Sequence, residues 1–337
     1  MKPIRKQDKN MRKPKAISPS SLARWTDRRE EFYQVYLSEF RTPRQPQENY
    51  MAAGSGFDAF VKNRIYRDVF GETAVKGTPY EMPQIFEAQV EEHIRDEVYA
   101  MSAHLFDYYV NCGAYAALLA EIMKSPSEPQ MEFTVKAVVN GIPILGKPDL
   151  YYFTPEMVKV ICDFKINGSF SKWGVSPVQG FQSSRYFKKN ELIVEKHKKY
   201  VPITYKDLEV NETGLENFSE DWATQLSLYA WCLGEEPGDE NYVVRMEQMA
   251  CRPNKKAGGL NIKVATHMSR ISARFQYNVM RRLMDCWSNI EAGHIFTDRT
   301  LEESQEHCEM LDLKFQTPLG LHPVMNQYLT EKNPRFK

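Results

Sequence analysis

One stretch constrains this chain more than any other. Gly146 to Lys165 reads Gly-Lys-Pro-Asp-Leu-Tyr-Tyr-Phe-Thr-Pro-Glu-Met-Val-Lys-Val-Ile-Cys-Asp-Phe-Lys. Ile144 to Phe153 and Met157 to Lys165 are rich in aromatic and β-branched residues and predict two strands. Thr154-Pro155-Glu156 breaks them, since Pro155 cannot donate to a ladder and suits a turn. Asp149 stands seven residues before Glu156 and Asp163 seven after it. An antiparallel pair folded about that turn sets the two aspartates opposite each other or one residue apart. Directly opposed side chains have Cβ atoms roughly 5 Å apart, where like charges repel. Asp163 and Lys165 share one strand face, while Cys162 and Phe164 point the other way, into a core.

Two carboxylates held together need a reason to coexist, and a divalent cation is one. Carboxylate oxygens select magnesium or manganese, which retain waters and share their site with substrate phosphate. Such an ion activates water and polarises a phosphoryl oxygen, and a nearby lysine stabilises developing negative charge. The same residues also suit a strand end beside a solvated Asp-x-Lys pair. Such triplets are common, so the hairpin leaves both readings open.

The remaining sequence narrows the classes. A length of 337 residues suffices for a sizeable core in one large domain or one domain with an insertion. No apolar run approaches the ~18 residues of a membrane span, and no secretory leader pattern is present, so a cytoplasmic protein without membrane partners is expected. The six cysteines include no Cys-x-x-Cys pair, which predicts buried free thiols rather than a zinc ribbon or a disulfide framework. Formal charge is zero, with 44 basic and 44 acidic residues, but it is unevenly spread. Residues 1–15 carry seven Lys/Arg against Asp8 alone, and further basic clusters lie at Lys188-Lys189, Lys196–Lys199, Lys255-Lys256 and Arg281-Arg282. Local patches serve phosphate binding even when the total cancels.

Residues 1–17 are expected to be a disordered basic tail. A serine cap at Ser18-Pro19-Ser20-Ser21 opens a helix carrying Trp25 and reaching Leu37, with Arg24 and Arg28 on or beside its exposed side. A second helix runs from about Ala52 to Phe70, with Phe57, Phe60, Val61, Ile65 and Val69 as its stripe. Its opening, Gly54-Ser55-Gly56-Phe57-Asp58, permits close approach of another backbone or a ligand. By itself Asp58 suits a first-turn acid favoured by the helix dipole. Helix is predicted over 84–124 with breaks near Ala103 and Gly113, then a strand over 130–139 and an Asn140-Gly141 hairpin turn. Residues 166–220 read as a long mixed connection, an insertion or flap whose Gln182, Arg185 and Tyr186 suit substrate contact or a bland surface excursion. Helix 221–234 sets Gln225 and Tyr229 one turn apart. Strands at 241–250 and 260–266, a helix from a Ser269 cap to about Glu291, and one short helix near 302–311 follow.

In their order along the chain these segments resemble the PD-(D/E)xK nuclease superfamily, in its RecB-like and phage-exonuclease branch. The series is Ser18 to Leu22 with Trp25 and Arg28, then Gly54 to Asp58, Gly146-Lys147-Pro148-Asp149, Asp163-Phe164-Lys165 and Gln225-x-x-x-Tyr229. It spans residues 18–295, with 166–220 and the 296–337 extension unmatched. The resemblance implies an α/β fold, a restriction-endonuclease-like core whose mixed central sheet of about four or five strands is flanked by helices. It assigns metal binding to Asp58, Asp149, Asp163 and the Phe164 carbonyl. Catalysis falls to Asp149, Asp163 and Lys165 with Gln225 and Tyr229. Substrate contact is expected of Ser21, Arg24 and Arg28, and of Gln182 and Arg185 from the residue mix of the 166–220 connection rather than from the resemblance. Asp58 departs from the histidine many members place there, although an acid suits magnesium. Some relatives carry a four-cysteine iron–sulfur cluster. Here no cysteine precedes Cys112, so none is expected.

The implied activity is magnesium-dependent DNA exonuclease action, with manganese able to substitute, in recombination, repair or replication in a phage or its host. Implied partners are DNA and an annealing protein, single-strand-binding protein or helicase. The alternatives are a structure-specific endonuclease of the same chemistry and a non-catalytic DNA-binding subunit.

Overall fold

The computed structural model describes residues 11–131, 134–167, 180–253 and 260–315. The chain divides into two compact units: residues 47–137 with 145–279, and residues 1–46 with 138–144 and 280–337. The sequence series therefore spans both units, its Ser18–Arg28 segment lying in the second.

The larger unit is built on a mixed sheet. Its strands are β1 (Gln130–Met131), β4 (Leu150–Phe153), β5 (Lys159–Asn167), β6 (Ser183–Lys188), β7 (Glu191–Lys196), β10 (Tyr242–Pro253) and β11 (Leu260–Ser269), in the order β1-β4-β5-β10-β11-β6-β7. Only the β5–β10 pairing is parallel; the others are antiparallel. The α/β class with a mixed sheet and flanking helices is thus observed, with seven strands rather than four or five. The added strands come largely from the segment expected to be an irregular connection. Within 166–220, β6 and β7 extend the sheet, β8 (Pro202–Tyr205) pairs with β9 (Leu208–Asn211), and only 168–179, including Trp173, lie outside the described residues. Strands β6 and β7 show no polar/apolar alternation, because a sheet-edge hairpin leaves most of its side chains in water.

Helices α3 (Asn49–Phe70), α4 (Met82–Gln89), α5 (Arg95–Asn111) and α6 (Ala114–Ile122) supply one side of this unit. Phe57, Val61 and Ile65 of α3 and Tyr109 of α5 pack with Val160, Cys162 and Phe164 of β5. The other face of β5 packs, through Ile161, against Ala223, Leu226 and Ala230 of α7 (Glu220–Cys232). A sheet covered on both sides loses the polar/apolar alternation of a half-exposed one. Gly56 faces α5, where an added Cβ would collide with Ser102. The predicted break at Ala103 is absent, since α5 runs through it, and the chain interrupts the helices at residues 90–94 instead. The break at Gly113 is present, with φ 77°.

The hairpin register follows the sequence reading, while its strand limits do not. Leu150 pairs with Cys162 and Phe153 with Lys159, so one further step sets Asp149 opposite Asp163. Met157, expected to start the second strand, sits in the turn with φ 60°, and the Thr154 amide donates to the Val158 carbonyl at 2.9 Å. The predicted first strand is broken: Ile144–Gly146 belongs to β3 (Ile142–Gly146), which pairs with β2 (Val135–Val139) in a separate ribbon turned by Asn140 (φ 48°) and Gly141 (φ 77°).

In the second unit, α1 (Pro19–Asp27) and α2 (Arg29–Phe32), which runs into a wider turn over Tyr33–Leu37, pack Trp25 edge-on against Phe32 and Phe296. The expected disorder of residues 11–17 is not observed: Ile17 is buried, its amide donates to the Pro143 carbonyl, and the Arg12 amide donates to the Leu37 carbonyl. Residues 1–10 lie outside the described residues. The helix α8 (Ala273–Glu291) is capped by Ser272, whose Oγ accepts from the Phe275 amide, and not by Ser269, whose hydroxyl donates to the Thr213 carbonyl. The last described helix is α9 (Leu301–Phe315). All six cysteines are buried free thiols. Among the described residues no helix is long and apolar enough to cross a membrane.

Candidate functional site

Three elements of the larger unit converge at the mouth of the β4–β5 hairpin. Asp149 precedes β4, Asp163 and Lys165 lie on β5, and Gln225 and Tyr229 lie on α7. Helix α7 also packs closely on Gly146, the last residue of β3, three residues before Asp149. A Cβ there would stand 3.0 Å from Tyr229 Cδ1 and 3.2 Å from Cys232 Sγ.

Lys165 Nζ contacts Asp163 Oδ2 at 2.6 Å and donates to Gln225 Oε1 at 3.1 Å. Gln225 Nε2 donates to Asp163 Oδ1 at 2.8 Å and to the Tyr229 hydroxyl at 2.9 Å. One side-chain amide thus orients the acid, the ammonium and the phenol together. Tyr229 acts as acceptor here, and burial pushes its phenol far above the ordinary range, so it stays protonated. Its own hydroxyl proton remains available to a ligand.

Asp149 has a different surrounding. Its Oδ2 accepts from the Phe164 amide at 2.9 Å, and its Oδ1 lies 3.4 Å from Lys62 Nζ. The same ammonium contacts Asp58 Oδ2, which also accepts from Gln89 Nε2 at 3.3 Å. Lys62 is 1% exposed. Sequence reading missed both Lys62 and Gln89. The available signal was the Asp58-x-x-x-Lys62 spacing, which ordinarily marks a surface ion pair, on a helix whose adjacent Val61 belongs to the core.

The two hairpin carboxyls titrate in opposite directions. Burial works to raise Asp149, but Lys62, Lys165 and the Phe164 amide together hold it below its ordinary range. Burial pushes Asp163 up to about 7; Lys165 opposes the rise and Asp149 adds to it. Burial works against the Lys165 ammonium, yet Asp163 and Asp149 hold it above its usual value. Two carboxyls whose titrations are driven apart in this way are coupled within one buried site.

The structure therefore brings together Asp149, Asp163, Lys165, Gln225 and Tyr229, with Asp58 joined through Lys62. Among the described residues no group of three or more His, Cys, Asp or Glu side chains is gathered as a metal cluster. The oxygen donors that suit a hard cation here are the carboxylates of Asp149 and Asp163, each held by a nitrogen donor of the cluster, with Asp163 raised first by burial and then by its neighbour's charge. Of Phe164, it is the amide that is tied to the site.

The remaining expected residues are engaged elsewhere. Ser21 completes a capping box with Ser18, Arg24 pairs with Glu31 and donates to the Tyr36 hydroxyl, and Arg28 pairs with Glu31, all in the second unit. Gln182 donates to the Tyr200 hydroxyl and the Glu209 carbonyl, and Arg185 donates to the Cys112 carbonyl, so both tie the β6–β7 side of the sheet to its neighbours.

No protein-family description matches this sequence, and no curated protein matches it. A solved structure described as "Crystal structure of SSO0001" aligns at 12% identity over 68% of this chain and 74% of that one, with a TM-score of 0.25. A likeness at that level carries no argument about fold or activity. What the chain is rests on its own geometry: a mixed α/β protein with a buried acid–lysine–amide cluster on one hairpin.

Proposed function

We propose that this chain is a magnesium-dependent DNA exonuclease of recombination, repair or replication, acting in the cytoplasm of a phage-infected cell or of the host itself. The observation that carries the reading is the placement of Asp149 opposite Asp163 with Lys165 two residues along the same strand, fastened by Gln225. That is the constellation phosphodiester hydrolysis needs: oxygen donors for a hard cation and a fixed ammonium beside them. When bound, magnesium supplies Lewis-acid chemistry, lowering the pKa of water and neutralising phosphate charge, and manganese substitutes for it.

The chain's own groups do the positioning. Asp149 and Asp163 would hold the ion. The Lys165 ammonium, kept charged by both acids, stabilises negative charge developing on the phosphate. Gln225 fixes the Lys165 rotamer through its carbonyl oxygen and the Asp163 carboxyl through its amide. Tyr229 presents a neutral phenol to the phosphate side. Ser21, Arg24 and Arg28, offered by the family resemblance, and Gln182 and Arg185, offered by the make-up of the 166–220 connection, stay candidates for DNA contact beyond the scissile phosphate. An annealing protein, a single-strand-binding protein or a helicase is the expected protein partner.

The second reading is a non-catalytic DNA-binding subunit that keeps the cluster without cleavage. End-labelled linear and closed-circular DNA, single- and double-stranded, incubated with magnesium, manganese or EDTA, separates the two. Metal-dependent loss of linear DNA alone, abolished by Asp163→Ala and by Lys165→Ala with DNA binding retained, supports the exonuclease. Cutting of circles makes it an endonuclease of the same chemistry. Binding without cleavage under any metal overturns the catalytic reading.

A further inference from the structure

The proposed chemistry leaves the most deeply buried charge of the site without a role. Lys62 is 1% exposed, one turn beyond Asp58 on α3, and its ammonium reaches both Asp58 and Asp149. A lysine is taken so far from water only when anions and good geometry compensate for its lost hydration. Here those anions are two of the three carboxylates that the family resemblance assigns to metal. Lys62 therefore occupies the ground between Asp58 and Asp149, where a second divalent ion would otherwise be held.

Charge balance points the same way. Asp58, Asp149 and Asp163, when ionised, bring three negative charges, and Lys62 and Lys165 bring two positive ones. The cluster is then left with one net negative charge. One divalent cation turns this into one net positive charge, which a single phosphodiester cancels.

We propose that Lys62 is a built-in cation filling the second cation position of this centre, so that the chain takes one divalent ion, at Asp149 and Asp163, and Asp58 serves as the anchor of Lys62 rather than as a metal ligand. This rests on the nuclease reading and deepens it. Lys62 is a positioning residue: it holds Asp149 through one oxygen while the Phe164 amide holds the other.

The test counts ions rather than turnover. The full-length chain, free of DNA, is titrated with manganese by calorimetry and by the loss of the free-ion electron paramagnetic resonance signal. Wild type is expected to bind one ion. Asp58→Asn, nearly isosteric and leaving Lys62 paired to Asp149, keeps that ion with affinity lowered by no more than the about 10- to 100-fold of an outer-shell partner, whereas Asp149→Asn and Asp163→Asn lose it. Lys62→Met, checked for folding by circular dichroism, is expected to bind two ions. If it does not fold, Asp58→Asn still decides the matter. Two ions in wild type, loss of the ion in Asp58→Asn, or one ion in a folded Lys62→Met each overturn the role of Lys62 while leaving the nuclease reading intact. No ion in wild type overturns both.

Discussion

Asp163 offers the sharpest physical test, because its carboxyl is 2% exposed and its protonation is displaced to about 7 from an ordinary value of 3.8. The direction is the reverse of the common carboxylate case. Between those two values the folded chain holds a proton that the unfolded chain has released, so stability falls as pH rises through the interval. Each pH unit of that interval is worth about 1.4 kcal/mol, so the full loss is roughly 4 kcal/mol between about pH 4 and pH 7. Asp149 is displaced downward and acts only below its ordinary value of 3.8, where its stabilising contribution is lost as pH falls, so the two effects occupy different windows. Asp163→Asn keeps the shape and removes the ionisation. In EDTA, urea unfolding followed by circular dichroism should show wild type losing several kcal/mol across the window. The variant should lose much less and be the more stable protein at pH 8. Magnesium should restore wild-type stability at pH 8 and do little near pH 5, because the ion must displace the proton. Parallel pH profiles for wild type and Asp163→Asn in EDTA would refute this account of the site's electrostatics.

Gln225→Ala leaves Lys165 and Asp163 without their shared amide. The expected loss is about 1–3 kcal/mol of stability and, under the nuclease reading, a fall in kcat larger than any rise in KM, read by steady-state kinetics on linear DNA. On the opposite face of the sheet, Arg245 is 1% exposed and bound to Glu247 at 2.6 Å and Glu121 at 2.7 Å. Arg245→Met strands a buried Glu247 and should cost about 3–5 kcal/mol in urea unfolding, most of it recovered by adding Glu247→Leu. Gly146→Val drives side-chain atoms into Tyr229 and Cys232, and should cost about 1–3 kcal/mol, with Cys232→Ala relieving part of it.

The hairpin that holds the site was legible because its register depends on little more than where the turn falls. A centre at Glu156 requires Asp149 to meet Asp163, and the pairing of Leu150 with Cys162 obeys it. The Gln225–Tyr229 spacing was legible for a similar reason, since residues four apart on a helix must be neighbours. The added strands β6 and β7 were not, because an edge hairpin bearing Lys188, Lys189 and Lys196 has the polarity of a loop. Lys62 was invisible because sequence rules place lysine in water, and its burial follows from long-range placement of Asp149 beside α3, which no local pattern encodes. The cap of α8 moved from Ser269 to Ser272 because β11 runs on through Ser269.

The two buried charge networks of the larger unit differ in a way that bears on the choice between cleaving and merely binding DNA. The Arg245 network closes on itself: Thr266 donates to both oxygens of Glu247, Tyr152 donates to Glu121, and Glu121 is one-third exposed to water. There too burial raises an acid, Glu247, with Glu121 adding to the rise, but Arg245 and Thr266 bind that acid directly and oppose it. The hairpin network sets two acids face to face, raises one of them, and buries a lysine to hold the other. A chain selected only to grip DNA gains nothing from that arrangement, since an asparagine at position 163 would remove the repulsion and keep an oxygen for Lys165. The readings diverge at Asp163→Asn, where greater stability above pH 7 is common to both. Under the nuclease reading the stabilised protein loses metal-dependent cleavage, and under the binding reading it loses nothing. A variant that is more stable and still cuts DNA at the wild-type rate would refute the assignment of Asp163 to the reaction.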